Sequence, residues 1–278
     1  MSLFITSLNS GSNGNCYYIG NAEEAVLIDA GISCRETEKR MKRLGLDINR
    51  VKAIFISHEH GDHIYGIESL TGKYNIPVFI TPTTMQKSRL RFNKDLARGF
   101  TAHQPVNIGK LSVLAFPKLH DAADPHSFII SGDGVNIGVF TDIGTPCNNV
   151  VDNFKKCHAI FLEANYDDDM LENGRYPIHL KKRISGDHGH LSNLQALELF
   201  IKYKPSFMSH LYLSHLSKDN NSPELVQKLF SLYAGNTEII IASRYNETAV
   251  YQISGNGEKY TAKEIPYTAP MQLSLFQV

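Results

Sequence analysis

The sequence predicts an α/β fold in which two β-sheets face each other and helices cover both outer surfaces, a four-layer αββα sandwich. Two stretches of short β-rich runs, separated by turn residues, predict the sheets over residues 3–56 and 106–140. Apolar residues at helical spacing predict helices between and after these stretches. Because an amphipathic helix has to bury its apolar face, this alternation favours helical layers outside a pair of sheets.

The first sheet is predicted from strands that are connected by a turn and a helix. The β-rich runs are residues 3–8, 16–19, 25–28 and 51–56. The first three runs, with the turn segment 9–15, predict an antiparallel meander. A helix before the fourth run places Ile32, Met41 and Leu44 inward. The basic side chains that we expect to face solvent on this helix are Lys39, Arg40, Lys42 and Arg43.

The second sheet is predicted from another meander and the helices around it. Its β-rich runs are residues 106–108, 111–116, 127–130 and 135–140. The helical patterns in this part of the chain are residues 86–91, 191–203 and 223–233. No linker rich in Pro, Gly or Ser occurs before residue 254, so we predict one domain over residues 1–253 and a C-terminal extension over residues 254–278.

Composition argues against several classes of protein. The chain has 278 residues with 28 basic and 28 acidic side chains, so a nucleic-acid site would need a local basic patch. The cysteines lack CxxC spacing, which argues against a disulfide framework and a thiolate metal site. No signal-peptide pattern and no apolar run of membrane-spanning length occur in the sequence. We therefore expect a cytoplasmic protein that has no membrane partner.

A cluster of potential metal ligands follows the predicted strand at 51–56. Residues 58–63 read HEHGDH, and the potential ligands among them are His58, His60, Asp62 and His63. Imidazole nitrogens and carboxylate oxygens are the ligands that zinc and related metals prefer. Solvated loop histidines are the alternative, but this pattern seldom arises by chance. The cluster therefore predicts one part of a metal site.

Further ligands are expected at the ends of other predicted strands. Each candidate follows an apolar run, and the candidates are Asp29, His120, Asp142 and His215. Their common placement would bring them to one edge of the sheets. His126 is the alternative to His120, and we rank it second because the preceding Pro125 predicts a turn.

Taken in order, these residues resemble the five motifs of the metallo-β-lactamase superfamily, and the resemblance covers nearly the whole chain. It implies a metallo-β-lactamase sandwich with two divalent metal ions, for which the ligands suit zinc, manganese or iron. The implied ligands are His58, His60 and His120 for one ion, Asp62, His63 and His215 for the other, and Asp142 as a bridge. Asp29 is implied to hydrogen-bond to the ligand loop without binding metal.

The segment after Asp142 resembles the phosphodiesterase branch of this superfamily, which includes ribonuclease Z. Glu163 in the string EANY and His190 in the string GHLS match a paired glutamate and histidine that act on the scissile phosphate. The resemblance implies that they are catalytic together with Asp62, with His190 as general acid. Leu162 stands where the ribonuclease has a histidine. A surface histidine at a helix N-terminus is the alternative for His190.

Longer strings resemble the YycJ/WalJ group of bacterial metallo-β-lactamase-fold proteins. They are SGSNGN at 10–15, HDAADP at 120–125, EANYD at 163–167 and GDHGHLSN at 186–193. The resemblance implies a 5′ to 3′ DNA exonuclease with a metal-bridging hydroxide as the nucleophile. The residues that we expect to contact substrate are Ser12, Asn15, Lys182, Arg183 and His188. A tight β-turn at the glycine-rich loop and a solvated run of charges are the alternatives.

The C-terminal residues predict a partner. The string QLSLF resembles the pentapeptide by which bacterial replication and repair proteins bind the polymerase sliding clamp, and its anchors are Gln272, Leu273, Leu275 and Phe276. A terminal strand that packs on the sheet is the alternative. Three other functions stay open: a ribonuclease of the ribonuclease Z or J type, a small-molecule (thio)ester or lactone hydrolase, and a metal-binding adaptor without turnover.

Overall fold

The strands of the protein form two sheets that face each other, with helices on both outer sides. The structure is a computed structural model and describes residues 2–255 and 259–261. Its strands are β1 (Ser2–Asn9), β2 (Cys16–Gly20), β3 (Ala25–Ile28), β4 (Val51–Phe55), β5 (Val78–Phe79), β6 (Ala97–Arg98), β7 (Pro105–Ile108), β8 (Leu111–Pro117), β9 (His126–Gly132), β10 (Val135–Phe140), β11 (Ala159–Glu163), β12 (His210–Ser214), β13 (Glu238–Ile241), β14 (Tyr251–Ser254) and β15 (Lys259–Thr261). Its helices are α1 (Cys34–Arg43), α2 (Gly61–Ile64), α3 (Ile67–Tyr74), α4 (Pro82–Ser88), α5 (Asn148–Phe154), α6 (Asp168–Asn173), α7 (Ile178–Ser185), α8 (Asn193–Tyr203) and α9 (Pro223–Ser231), with 3₁₀ turns at Ile48–Arg50 and Lys94–Leu96.

Each sheet combines an antiparallel part with a parallel part. In the described residues the first sheet has the order β15-β14-β1-β2-β3-β4-β5-β6 and the second the order β13-β12-β11-β10-β9-β8-β7. Strands β3 to β6 are parallel to one another, and so are β10 to β13. Parallel strands end at the same edge of a sheet, so the residues that follow them are brought together there.

Three apolar layers hold the sandwich together. The layer between the sheets contains large side chains from both, including Tyr17, Phe128 and Phe161. The other two layers lie between each sheet and its helices, around Met41 on α1 and around Phe200 on α8. Each such side chain stabilises the fold by about 1.5–3 kcal/mol through burial. The predicted four-layer αββα sandwich is confirmed.

The strand patterns differ between the centre and the edge of the second sheet. Every residue of β11 and β12 is buried, which is typical of parallel strands that are covered on both faces. The edge strand β7 instead alternates exposed and partly buried residues. The central strands can therefore end in polar residues that are already shielded from water.

One predicted helix is wrong in its bounds. The prediction was residues 86–91, whereas α4 covers Pro82–Ser88. Thr81 begins the helix because its side chain accepts a hydrogen bond from the N–H of Thr84, and Pro82 fits the first helical position. Arg89 ends the helix in a left-handed conformation with φ 56°. The cap residues determine the bounds here more than the apolar spacing does.

The prediction that Arg40 faces solvent is also wrong. Arg40 is buried, and its guanidinium donates to the carbonyl of Leu8 at 2.7 Å, to Oδ1 of Asn9 at 2.8 Å and to the carbonyl of Tyr245 at 3.0 Å. These acceptors lie at the end of β1 and in the loop after β13. Burial of the guanidinium is tolerated because these acceptors satisfy its Nη1 and Nη2 groups.

The predicted domain boundary at residue 253 falls within β14, which pairs with β1 on one side and with β15 on the other. The division into a domain and an extension stays a prediction, and the tail at 272–276 lies outside the described residues. Among the residues that the structure describes, no helix is long and apolar enough to cross a membrane.

Candidate active site

The HEHGDH cluster lies at the C-terminal end of β4, where the chain turns into α2. Its buried members are His58 and His63. Gly31, which follows the neighbouring strand β3, lies so close to this loop that a Cβ atom there would be 1.6 Å from the carbonyl oxygen of Asp62. The N–H of Asn15 donates to the same carbonyl at 2.7 Å. The loop is therefore packed against β3 with no room for a side chain at position 31.

Asp29 orients this loop from behind. Its Oδ1 accepts from the N–H of Ser57 at 2.8 Å, and its Oδ2 accepts from the Ser57 hydroxyl at 2.8 Å. The same Oδ2 lies 2.7 Å from Nδ1 of His63. Both carboxylate oxygens thus contact the loop, and Nε2 of His63 is left for the ligand cluster. These are the contacts that the resemblance implies for Asp29.

The first group of possible ligands contains three imidazoles. Nε2 of His58 lies 3.0 Å from Nδ1 of His60, and Nε2 of His120 lies 3.4 Å from that same atom. Nδ1 of His120 is 2.9 Å from the carbonyl oxygen of Gly189, to which it donates. One nitrogen from each of the three rings lies within 4.8 Å of the others, which is a suitable spacing for a shared cation.

His126, the alternative to His120, lies elsewhere. It begins β9, its N–H donates to the carbonyl of Ser57 at 2.9 Å, and its ring packs edge-on against Phe100 at 5.2 Å between centroids. It belongs to none of the ligand groups found in the described part of the chain. The structure thus brings His120, and not His126, to the cluster.

The second group combines carboxylates with imidazoles. Oδ2 of Asp62 lies 3.5 Å from Nε2 of both His63 and His215. Asp142 reaches both groups, because its Oδ2 is 3.2 Å from Nε2 of His63 and its Oδ1 is 3.8 Å from Nε2 of His120. Asp142 therefore occupies the position between the groups that a bridging ligand needs.

Three of the residues at this edge adopt an uncommon backbone conformation. Asp29, Asp142 and His215 follow β3, β10 and β12, and their φ angles are 60°, 54° and 57°. A positive φ is uncommon for a residue other than glycine, although Asp and His tolerate it better than most. Each costs about 1–3 kcal/mol, and such strain concentrates at functional sites. The positive φ turns the chain sharply after each strand and directs the side chain of each of these residues towards the site.

Two buried atoms of the cluster indicate that it is built for a cation. Among the described residues, Oδ2 of Asp142 and Nε2 of His215 make no hydrogen bond of good geometry, although each lies within 3.5 Å of an oppositely charged group. Leaving such groups unsatisfied is costly, and buried polar atoms are nearly always paired. All donors in the two groups are imidazole nitrogens or carboxylate oxygens. The residues therefore fit divalent metal ions.

The two groups differ in charge. Burial lowers the pKa of His58 well below its usual value and lowers the pKa of His120 to about 4, so both rings are neutral. Burial also disfavours a charged His215, but Asp142 and the other nearby carboxylates outweigh it and raise the pKa of His215 to about 10. The pKa of His63 is raised for the same reasons. Metal binding at the second group thus exchanges protons for a cation.

Glu163 connects the second group to His190. It is fully buried at the end of β11, and its Oε1 lies 2.7 Å from Nδ1 of His190 and 2.9 Å from Nδ1 of His215. Its Oε2 accepts from the N–H of Ile143 at 2.6 Å. Burial alone would raise the pKa of Glu163, but the two imidazoles stabilise the carboxylate more strongly and lower its pKa to about 2. Nδ1 of His190 is thereby occupied, and its Nε2 is left for the cleft.

A cleft of about 420 Å³ opens over these residues. It is lined by ligands of both groups, by His190, and by Ser12 and Arg183. Asn15 is buried behind the ligand loop, and its amide donates to Oδ2 of Asp62 at 3.1 Å. Lys182 and His188 are exposed. Substrate contact by these five residues stays a prediction, although the observed contacts of Asn15 are with the ligand loop.

Two residues that support the site were given no role from the sequence. Nδ2 of Asn165 donates to the carbonyl of His215 at 2.8 Å and lies 3.3 Å from Nδ1 of the same residue. Ser57 connects Asp29 to the ligand loop through its hydroxyl. Asn165 follows the end of β11 by two residues, as Asp142 follows β10. This shared offset is the sequence signal that could have identified Asn165.

The sequence is similar to that of known proteins. A family model described as the beta-lactamase superfamily domain matches residues 24–215. Exodeoxyribonuclease YycJ of Bacillus anthracis is 35% identical over 230 residues, 82% of this chain and 87% of that protein. Exodeoxyribonuclease WalJ of Streptococcus pneumoniae is 31% identical over 223 residues, 78% of this chain and 83% of that protein.

A solved structure shares the fold. The metallo-beta-lactamase fold protein YhfI from Bacillus subtilis superposes with a TM-score of 0.71 over 91% of this chain and 100% of that chain, at 15% sequence identity. The His and Asp groups described above fit a dinuclear hydrolase. From its sequence and its fold, the chain belongs to the beta-lactamase superfamily and, within it, to the group of the YycJ and WalJ proteins.

Proposed function

We propose that this protein is a metal-dependent 5′ to 3′ DNA exonuclease. The observation that carries the proposal is the buried Glu163 that holds His190 at 2.7 Å beside the two ligand groups. A carboxylate–imidazole pair next to a metal site suits phosphodiester cleavage, because the departing oxygen needs a proton. The names of the two relatives, both exodeoxyribonucleases, support DNA as the substrate.

The ligand groups suggest how metal ions would be held. One ion would be held by His58, His60 and His120, a second by Asp62, His63 and His215, with Asp142 between them. When bound, such ions polarise the scissile phosphate and lower the pKa of a water molecule. Zinc, manganese and iron all accept this donor set.

The chain itself supplies positioning and a proton. Glu163 keeps His190 in one tautomer and orientation, because its carboxylate accepts the Nδ1 hydrogen. Nε2 of a protonated His190 would donate to the 3′ oxygen that leaves when the terminal nucleotide is released. Asn165 and Glu163 hold the His215 ring from its other side. Ser12 and Arg183 would contact the strand where it enters the cleft.

The test is hydrolysis of matched 5′-phosphorylated DNA and RNA oligonucleotides by the metal-loaded protein. We expect release of 5′ mononucleotides from DNA in order from the 5′ end, and loss of activity with a chelator that is reversed by Mn²⁺ or Zn²⁺. Cleavage of RNA alone would indicate the ribonuclease alternative. Hydrolysis of thioesters or lactones that is unchanged in a His190→Gln variant would indicate a small-molecule hydrolase.

Two further proposals concern the setting of the enzyme. We expect it to act in the cytoplasm and to bind the sliding clamp through Gln272, Leu273, Leu275 and Phe276. Such a tether would raise the local concentration of the enzyme on DNA. A fluorescent peptide of residues 268–278 should bind purified clamp, and a peptide with Leu275 and Phe276 both replaced by alanine should not.

A further inference from the structure

A second cavity lies beside the metal cleft. Its volume is about 370 Å³, and it is found at the C-terminal ends of the parallel strands β12 and β13. Its walls include Ser10, Ser217, Lys218, Arg244 and Tyr245. In α/β sheets, the crevice outside the carboxyl ends of parallel strands is the usual place for a ligand. The volume lies within the range of small-molecule sites.

The cavity and the metal cleft share a wall residue and are linked by hydrogen bonds. Ser217 lines both of them. The hydroxyl of Ser10, in the wall of the cavity, accepts a hydrogen bond from the backbone N–H of His215 at 2.7 Å. Asn13, next to the cleft residue Ser12, donates to the carbonyl of Arg244 at 2.8 Å. The cavity therefore adjoins the cleft, within reach of a DNA strand that binds there.

The charged groups of the cavity favour an anion. Lys218 and Arg244 both line it, and none of the described lining residues is acidic. Nη1 of Arg244 is shielded from water and has no hydrogen-bond partner in the described part of the chain. A buried guanidinium N–H without an acceptor is unfavourable, and guanidinium is the side-chain group best suited to binding phosphate. The free donor therefore points to a phosphate ligand.

Tyr245 adds an aromatic surface to the same cavity. About 65% of its surface is exposed, and its backbone carbonyl is held by Arg40 at 3.0 Å. Stacking on aromatic side chains is the usual way in which proteins hold bases of single strands without reading their sequence. A cation beside an exposed aromatic ring suits a nucleotide better than it suits free phosphate.

We propose that this cavity holds the nucleotide next to the scissile bond, with Arg244 bound to a phosphate that flanks the scissile phosphate and Tyr245 stacked on the base. This inference rests on the proposed nuclease function and deepens it, because it assigns a part of the substrate that the metal cleft does not hold. Arg244 would thus bind substrate at a place where no chemistry occurs.

The test compares substrates with and without a flanking phosphate. In an Arg244→Gln variant, kcat/KM for a 5′-phosphorylated oligothymidylate should fall about 30-fold, mainly through KM, while hydrolysis of thymidine 5′-(p-nitrophenyl phosphate) changes less than twofold. The slope of log(kcat/KM) against log salt should decrease by about one, as expected for one lost phosphate contact. Arg50→Gln is the matched control, because Arg50 is also partly buried but lies before β4, at the end opposite His58.

Chemical neutralisation identifies the phosphate. Oligonucleotides with a 5′ hydroxyl lack the charged terminal phosphate, and those with a methylphosphonate at the linkage after the scissile one lack the single charge of that linkage. At the phosphate that Arg244 contacts, neutralisation should slow the wild type as much as Arg244→Gln does and should slow the variant no further. The proposal is overturned if neutralisation at each position slows the wild type and the Arg244→Gln variant by the same factor. It is also overturned if Arg244→Gln slows hydrolysis of the mononucleotide ester as much as hydrolysis of the oligonucleotide.

Binding without turnover keeps the two proposals distinguishable. With a chelator present, fluorescence anisotropy of a 3′-labelled oligothymidylate should show about tenfold weaker binding by Arg244→Gln, and an intermediate loss by Arg244→Lys. If the wild type binds the strand in this way but hydrolyses no DNA, the cavity is supported and the nuclease proposal fails. If all variants bind as the wild type does, the cavity proposal fails whatever the activity.

Discussion

The two sheets contribute to the site in different ways. The first supplies four potential ligands from a single loop of six residues after β4. The second supplies its residues one at a time, from strand ends and loops spread over residues 120–215, namely His120, Asp142, Glu163, His190 and His215. A contiguous loop needs one strand end to be in place, whereas a dispersed set needs several strands in register.

The carboxylates that support the potential ligands also differ between the two sheets. In the first sheet the Asp29 carboxylate contacts Ser57 and His63 of the loop that carries the potential ligands. In the second sheet Glu163 contacts a potential ligand, His215, and also His190, which lines the cleft. We therefore expect the first sheet to hold metal and the second to link metal binding to His190. Variants on the two sides should therefore separate metal affinity from reaction rate.

The largest effect is expected where the two sides meet, at Asp142. Asp142→Asn removes one charge from the position between the ligand groups, so we expect the rate of DNA hydrolysis to fall by about 10³-fold and the metal content to decrease. Steady-state assays and elemental analysis of the purified protein measure both. Asp133→Asn, in the turn at the other end of the same hairpin strand, is the control and should match the wild type. A fully active Asp142→Asn enzyme would contradict the bridging position.

The second-largest effect is expected at His190, which lines the cleft. His190→Gln should lower the rate on DNA by about 10²- to 10³-fold with metal content unchanged, because we expect His190 to donate a proton and not to bind metal. The loss should be much smaller for a p-nitrophenyl ester, whose leaving group needs no proton. His179→Gln, exposed on α7, is the control. Loss of metal together with rate would place His190 with the ligands and remove the distinction between the sheets.

The smallest effect is expected behind the first loop. Asp29→Asn keeps the size of the side chain but weakens its contacts with Ser57 and His63, so we expect metal affinity to fall by about 10- to 100-fold. Titration with metal should restore the wild-type rate at saturation. Asp47→Asn, at the start of the 3₁₀ turn before β4, is the control. If saturating metal leaves the rate low, Asp29 has a role beyond positioning the loop.

Parts of this arrangement were predictable because they depend on local pattern. The strands β3 and β10 were predicted with their observed bounds, and the acids after them were singled out because polar residues that follow apolar runs lie at strand ends. The bounds of α4 and the burial of Arg40 were not predictable from apolar spacing. The first depends on a cap at Thr81, and the second on acceptors in distant segments.

By itself, the sequence determined the sandwich, the six-residue ligand loop and the family, because strand periodicity and contiguous motifs are local properties of a chain. Only the tertiary structure decided between His120 and His126, joined Glu163 to both His190 and His215, and gave roles to Asn165 and Ser57. It also placed Nη1 of Arg244, which has no hydrogen-bond partner among the described residues, in a cavity next to the metal cleft. The reason is physical: parallel strands bring residues together at a shared edge, and the order of those strands in the sheet is not written in any single segment.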